Sequence, residues 1–329
     1  MKTSNHHYND LVLVATTIDT VGIGGVTVHI ERLMEWLNKD KFPFTLCNYK
    51  TLSMLKQINI IRKSKVVHIH VNNSVLRVFY SLLGFCLGKK TILTIHGDLK
   101  NKGWFCNMLD RKAVTLCTVP VVINQHCFEV ACKWNKSTKL MSAFIPPAED
   151  GFLPQYAIDK IHRIKSSGLK IVATNAYSMV SDSFGNEIYG IKFLVEFFKN
   201  RNEFLFVSDP SGTYRDHFGT NELKNVFIIP EKHSFYAVIQ QSDIVIRATS
   251  TDGDSLSVRE AMFAGKPIIA TDVVDRPQGV IKFKYNDVNS LEMAMNKALE
   301  NKQNAEYAPV NVVDHLQQLY IQLIGVKSI

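Results

Sequence analysis

Short apolar runs alternate with stretches of helical periodicity along the whole chain. In the first half the runs predict strands over 11–15, 44–47, 66–71, 91–95 and 119–123, with helices over 25–37, 52–62, 75–87 and 125–133. The second half repeats the scheme. Strands are predicted over 171–174, 204–207, 226–229, 244–246 and 267–270, and helices over 188–200, 234–241, 256–264 and 289–300. Strands apolar throughout, each followed by a helix, describe a parallel sheet covered on both faces. Between the halves, Pro146, Pro147, Glu149, Asp150 and Gly151 follow an apolar strand, which is turn and linker chemistry. The pattern therefore predicts two doubly wound α/β domains, residues 1–150 and 151–329, the second ending in a helix over 312–323 after Pro309. Open sheets of this kind bind ligands beyond the carboxyl ends of their strands, so candidate chemistry is sought there.

The richest such place follows the strand at 244–246. A polar loop over 248–255 leads into a helix that ends near Gly265, and a second strand starts at Pro267. Ser255 or Asp254 can cap the helix, and Gly253 lets backbone N–H groups approach a ligand. A helix N-terminus with Leu256 and Ser257 in its first turn attracts an anion such as a diphosphate. Asp252 and Glu260 flank it, eight positions apart. A carboxylate accepts hydrogen bonds from two neighbouring hydroxyls, as a sugar or ribose offers.

This stretch resembles the signature of the family-4 glycosyltransferases: an acid, seven residues, a glutamate, then Gly-x-Pro and an apolar strand closing on Thr-Asp. The resemblance implies a GT-B fold, two Rossmann-like domains facing across a cleft, and sugar transfer from a UDP- or GDP-sugar with retained configuration. It implies that Asp252 holds the transferred sugar's hydroxyls and Glu260 the nucleotide ribose, with no metal and no other cofactor. The usual glutamate is here the shorter Asp252.

The first half supplies matching pieces. The loop Gly22, Gly24, Gly25 follows the first strand and resembles the family's glycine loop facing the donor. A dinucleotide fingerprint would need glycine where Thr27 stands and an acid near Cys47, so nicotinamide binding is disfavoured. The strand at 91–95 ends in His96, Gly97 and Asp98, where the family commonly carries a histidine near the donor sugar. His96 is accordingly expected to orient that sugar. His68 and His70 share one face of their strand and read as structural, with a metal site as the alternative.

The family places an arginine after the first strand of its second domain and a lysine before the glycine of the next helix. Here those regions read Thr174, Asn175, Ala176, Tyr177 and Ile188, Tyr189, Gly190. Charge on the leaving diphosphate grows as the glycosidic bond breaks, so another cation should serve. Arg247 is the first choice, and Arg259 and Arg276 are the second.

Charge is uneven. Residues 1–150 carry 19 Lys and Arg against 10 Asp and Glu, and residues 151–329 carry 19 against 20. Basic residues gather at Lys56, Arg62, Lys63, Lys65, Lys89, Lys90, Lys100, Lys102, Arg111 and Lys112, beside Ile58, Ile60 and Trp104. This predicts an anionic partner for the first half, either a membrane surface or a glycan acceptor on a polyprenyl pyrophosphate. No aromatic-basic signature of a nucleic-acid fold is present, so nucleic acid is not expected. Residues 1–10 lack an apolar signal core, and the run at 78–87 is too short to span a bilayer. Six cysteines without a CxxC pair read as free thiols of a reducing compartment. Together these predict a cytoplasmic enzyme of cell-surface polysaccharide synthesis, peripheral at the inner membrane face. The rival readings are a GT-B nucleotide-sugar epimerase and a non-catalytic nucleotide-sugar-binding subunit.

Overall fold

The structure, a computed structural model, describes residues 10–21, 24–97, 99, 103–147, 151–182, 184–219, 223–300 and 311–325. Of the positions singled out above, Gly22, Asp98, Lys100, Lys102, Glu149, Asp150 and Pro309 lie outside them. The chain divides into two compact units, residues 1–145 with 310–329, and residues 146–309.

The first unit runs β1 (Leu11–Ala15), α1 (Ile18–Val21), α2 (Gly25–Lys39), β2 (Phe44–Asn48), α3 (Met54–Lys63), β3 (Val66–Ile69), α4 (Ser74–Cys86), β4 (Lys90–Ile95), α5 (Trp104–Leu116), β5 (Val119–Val122), α6 (Gln125–Cys132) and β6 (Lys139–Leu140). Its sheet is parallel throughout, in the order β2-β1-β3-β4-β5-β6. Alternate residues of each strand feed two cores. Val12, Val14, Val67, Ile69, Leu93 and Ile95 pack on one face. Leu11, Leu13, Val66, Ile92, Val119 and Val121 pack on the other.

The second unit runs α7 (Gln155–Ser166), β7 (Ile171–Asn175), α8 (Ile191–Phe198), β8 (Phe204–Ser208), α9 (Thr213–Phe218), β9 (Val226–Ile229), α10 (Phe235–Gln241), β10 (Ile244–Arg247), α11 (Leu256–Phe263), β11 (Ile268–Thr271), β12 (Ile281–Phe283) and α12 (Val288–Glu300). Its parallel sheet has the order β12-β11-β10-β7-β8-β9. Both sheets carry helices on both faces, as the unbroken apolar strands require.

Three differences from the sequence reading have physical causes. The last helix, α13 (Val313–Ile324), belongs to the first unit and not to the second. Its Val313, Leu316, Leu319 and Tyr320 pack with Leu11, Leu13, Leu33, Leu37 and Val66. An amphipathic helix carries its apolar stripe in the sequence, but not the address of the sheet it covers. The division between units correspondingly falls after Ile145, which is itself part of that core. Finally, α8 begins at Ile191 and not at 188. Ile188 accepts a hydrogen bond from Ser250 N–H, and Gly190 adopts φ 64°. A Cβ at Gly190 would lie 2.2 Å from the Ala248 carbonyl oxygen, so only glycine lets this turn approach the end of β10.

Candidate functional site

In the second unit the strand order reverses between β7 and β10, which are neighbours although β8 and β9 separate them in sequence. Ligands of doubly wound sheets bind beyond the carboxyl ends of the strands at such a switch point. Asn175 ends β7 and Arg247 ends β10 there. Arg247 Nη1 donates to Asn175 Oδ1 at 3.4 Å, and its guanidinium carbon lies 5.2 Å from the centre of the Tyr189 ring. Arg247 thus reaches both regions in which the sequence lacks the family's cations.

The other edge of the guanidinium is held by Asp252. Arg247 Nε donates to Oδ2 and Nη2 to Oδ1, each at 3.2 Å. Arg276 Nη1 donates to the same Oδ2 at 2.8 Å, Thr249 Oγ1 at 3.3 Å, and Gly253 N–H to Oδ1 at 3.1 Å. Five donors fill a carboxylate that offers about four lone-pair sites. The expected sugar hydroxyls therefore meet an acid already occupied by protein donors. Burial opposes the charge of Asp252, but Arg247 and Arg276 outweigh it and hold the carboxyl below its usual range. Arg276 is a buried clamp. Its Nε donates to Thr271 O at 2.9 Å, so the end of β11 holds it as well as Asp252. Arg259, the other alternative cation, pairs with Asp254 at 2.8 Å.

Two helix N-termini open near this switch point, and they differ. The first two N–H groups of α8 donate to the carboxylate of Glu187, Ile191 at 2.8 Å and Lys192 at 3.1 Å. Ser255 precedes α11 as its N-cap but makes no side-chain cap bond. Its hydroxyl instead meets Ser257 Oγ at 3.0 Å, and Asp254 is turned to Arg259. The positive end of α11 is therefore not met by a capping side chain, while that of α8 is neutralised by Glu187. A Cβ built on Gly253 meets nothing within 4 Å, so the approach to α11 is open there. Glu260 lies on α11, buried to 4% exposure. Glu187 escaped sequence reasoning, although an acid four residues before a helix start was its signal.

In the first unit the strand order reverses between β1 and β3. Gly24 caps α2 after β1, with its N–H donating to Thr27 Oγ1 at 2.8 Å, and Gly25 opens the helix with free space around it. His96 follows β4, the second neighbour of β1 on this side. It does not stand alone. His70 Nδ1 lies 3.0 Å from His96 Nε2, and the ring of His29, on α2, lies 4.8 Å from the His96 ring. Sequence reasoning missed His29, a single histidine on a helix face. His68 packs behind His70 with ring centres 3.9 Å apart. It is bonded to Tyr320 Oη at 2.6 Å and Thr94 Oγ1 at 2.7 Å.

Burial keeps all four imidazoles neutral. It pushes His29 down to about 4, against a bond to Ala143 O and with help from Arg32. His68, His70 and His96 lie well below the usual histidine range, first through burial and then through one another, with Arg77 adding to the effect on His96.

No family model and no curated protein matches the chain. Among solved structures it is similar to HepE from Anabaena, in complex with UDP, at 12% identity and TM-score 0.62, over 96% of this chain and 95% of that one. It is similar to a glycosyltransferase from Rickettsia africae at 15% identity and TM-score 0.64, over 96% and 98%. It is also similar to the UDP-GlcNAc 2-epimerase from Methanocaldococcus jannaschii at 12% identity and TM-score 0.59, over 95% and 99%. At these identities the likeness bears on architecture. The two six-stranded parallel sheets with their helices have the GT-B fold of glycosyltransferase structures.

Proposed function

We propose that the chain is a retaining glycosyltransferase of the family-4 type, taking its sugar from a UDP- or GDP-sugar. The observation that carries this reading is Arg247 at the β7–β10 switch point, beside a helix N-terminus with no side-chain cap. Together they form a cationic, donor-rich place for a diphosphate. Three of the five Arg247 N–H groups bond to described residues, which leaves two for phosphate oxygens. Asp252 holds the guanidinium in position, and Glu260 takes the ribose. His96 orients the sugar. As the glycosidic bond breaks, negative charge builds on the leaving phosphate oxygen, and preorganised donors act most strongly on that charge. The same oxygen accepts the acceptor's proton, so no metal is required.

The acceptor is a glycan, soluble or carried on a polyprenyl pyrophosphate, of the kind used in cell-surface polysaccharide synthesis. The first unit supports a membrane setting. Leu55, Phe85 and Trp104 are 82%, 63% and 78% exposed, on α3, α4 and α5. Arg62, Lys63, Arg111 and Lys112 are exposed on α3 and α5. Ile58 and Ile60, expected at the surface, are half-buried instead, and Met54 and Leu55 take that place. No helix among the described residues is long and apolar enough to cross a membrane.

The similarity to an epimerase structure favours a second reading, nucleotide-sugar epimerisation. Incubation with UDP- and GDP-sugars, with and without glycan acceptors, separates the two. Transfer predicts donor loss only with acceptor and an unchanged anomeric configuration in the product. Conversion of UDP-GlcNAc without acceptor would establish the epimerase.

A further inference from the structure

The histidines at the carboxyl edge of the first sheet carry more than sugar positioning. His29 comes from α2, His70 follows β3 and His96 follows β4. One ring nitrogen from each lies within 4.8 Å of the other two. His29 Nδ1 sits 2.8 Å from Ala143 O, so that nitrogen carries the proton and Nε2 is a bare lone pair. His29 Nε2 has no hydrogen-bond partner among the described residues, and neither has His70 Nε2. The two side chains are 4% and 2% exposed. Buried polar atoms are nearly always satisfied, and a pair left over in one cluster needs an explanation.

We propose that His29, His70 and His96 form a three-nitrogen site for a first-row transition dication of the Zn²⁺ kind. Imidazole nitrogens without a carboxylate suit zinc, cobalt, nickel or copper and not magnesium or calcium, which take oxygen ligands. The Ala143 carbonyl fixes the tautomer of His29, as outer partners of metal-bound histidines do. His68, tied to Thr94 and Tyr320, packs against the His70 ring, and His70 Nδ1 is engaged by His96 Nε2 at 3.0 Å. Zinc–nitrogen bonds of about 2.0–2.1 Å in tetrahedral array require nitrogens roughly 3.3 Å apart. The three rings must close somewhat from their present spacing to reach it, and His96 is the least buried of them. The fourth position stays open to water or an anion. Resting on the transferase reading, the consequence is inhibition, because a metal-bound His96 is withdrawn from the donor sugar.

Cobalt titration of the metal-stripped full chain tests the site without any turnover. The expected result is one Co²⁺ per chain with the visible bands of tetrahedral nitrogen coordination, displaced by Zn²⁺. His29→Asn keeps a donor for Ala143 O and removes Nε2. Loss of an outer partner costs about 10–100-fold in affinity, so loss of this ligand should cost roughly a hundredfold or more. If that variant fails to fold, His96→Asn, at the half-buried member, reads the same loss. His126→Ala, at an exposed histidine on α6, should bind as the wild type does. Absence of the bands, or their survival in His29→Asn or His96→Asn, overturns the site. For the consequence, one equivalent of Zn²⁺ should suppress transfer and EDTA should restore it. Zinc-loaded protein that turns over at the metal-free rate overturns the inhibition. The spectra stand whether or not transfer is detected, so failure of the transferase reading is read separately.

Discussion

The Arg247 guanidinium lies over the Tyr189 ring, 5.2 Å from its centre. Tyr189 directly precedes Gly190, the N-cap of α8, so a cation from the end of β10 is held where the neighbouring segment has none of its own. If this cation stabilises the leaving diphosphate, Arg247→Ala lowers turnover far more than donor affinity. One such group is worth roughly 2.7–4 kcal/mol, a hundredfold to a thousandfold in rate. Arg247→Lys should not rescue it, because a point charge cannot make the two-pronged contact with Asp252. Steady-state kinetics check both, and normal turnover in Arg247→Ala would move the role elsewhere.

Asp252 is the only acid bonded to both Arg247 and Arg276 among the described residues. Asp252→Asn leaves two largely buried guanidinia without their carboxylate. Breaking a buried pair from one side costs about 3–5 kcal/mol. Denaturant unfolding of the variant should show that loss. The native carboxyl titrates below its unfolded value, so its contribution is full above about pH 4 and falls away as the pH drops further. A variant as stable as the wild type at pH 7 would show that Asp252 is not the keystone of this cluster.

The histidine cluster makes the opposite end of the pH scale matter. Above about pH 6.5 His29 is neutral folded and unfolded, and its full contribution is present. Between 6.5 and about 4 the unfolded chain binds a proton that the folded chain refuses, so stability falls as pH falls. The loss is about 2 kcal/mol for His29 by pH 5, and His68, His70 and His96 add to it in the same direction. Denaturation midpoints at pH 7.5 and 5, with chelator present, should differ accordingly and differ less in His29→Asn. Equal midpoints would mean that these rings protonate freely in the folded state.

How much of this was legible in the sequence depended on the range of the interaction. Strands such as Ile244–Arg247 show as apolar runs, and their order in the chain carries the parallel class. Helix α5, Trp104–Leu116, was missed because its apolar positions are interleaved with Asn107, Asp110, Arg111 and Lys112. Helix α7, Gln155–Ser166, was missed although Ala157, Ile158, Ile161 and Ile164 recur at helical spacing, because only Ala157 and Ile161 are buried and polar residues separate them. The acid at 252 was visible by its spacing from Glu260. That Arg276, 24 residues on, fills its carboxylate was not, since no local pattern encodes that contact. Likewise His29 and His70 meet only because β1 and β3 are neighbours in the sheet.

Liposome co-sedimentation tests the membrane setting. Exposed Leu55, Phe85 and Trp104 and the exposed cations of α3 and α5 predict binding to anionic vesicles at low salt. Each cation contributes about 1 kcal/mol near an anionic leaflet, and the attraction is screened as salt rises. Protein that remains in the supernatant at low salt would remove the membrane from the account and leave the transferase untouched.

On this reading the second unit binds a nucleotide-sugar through α11, with Glu260 on the ribose. Calorimetric titration of UDP- and GDP-sugars into the wild type and Glu260→Ala decides it. The wild type should bind one nucleotide class saturably. In the variant, affinity should be lower by about 1.5–3 kcal/mol for each charged hydrogen bond lost, roughly tenfold to more than a hundredfold. Failure of every nucleotide-sugar to bind the wild type, or equal affinity in Glu260→Ala, would contradict it.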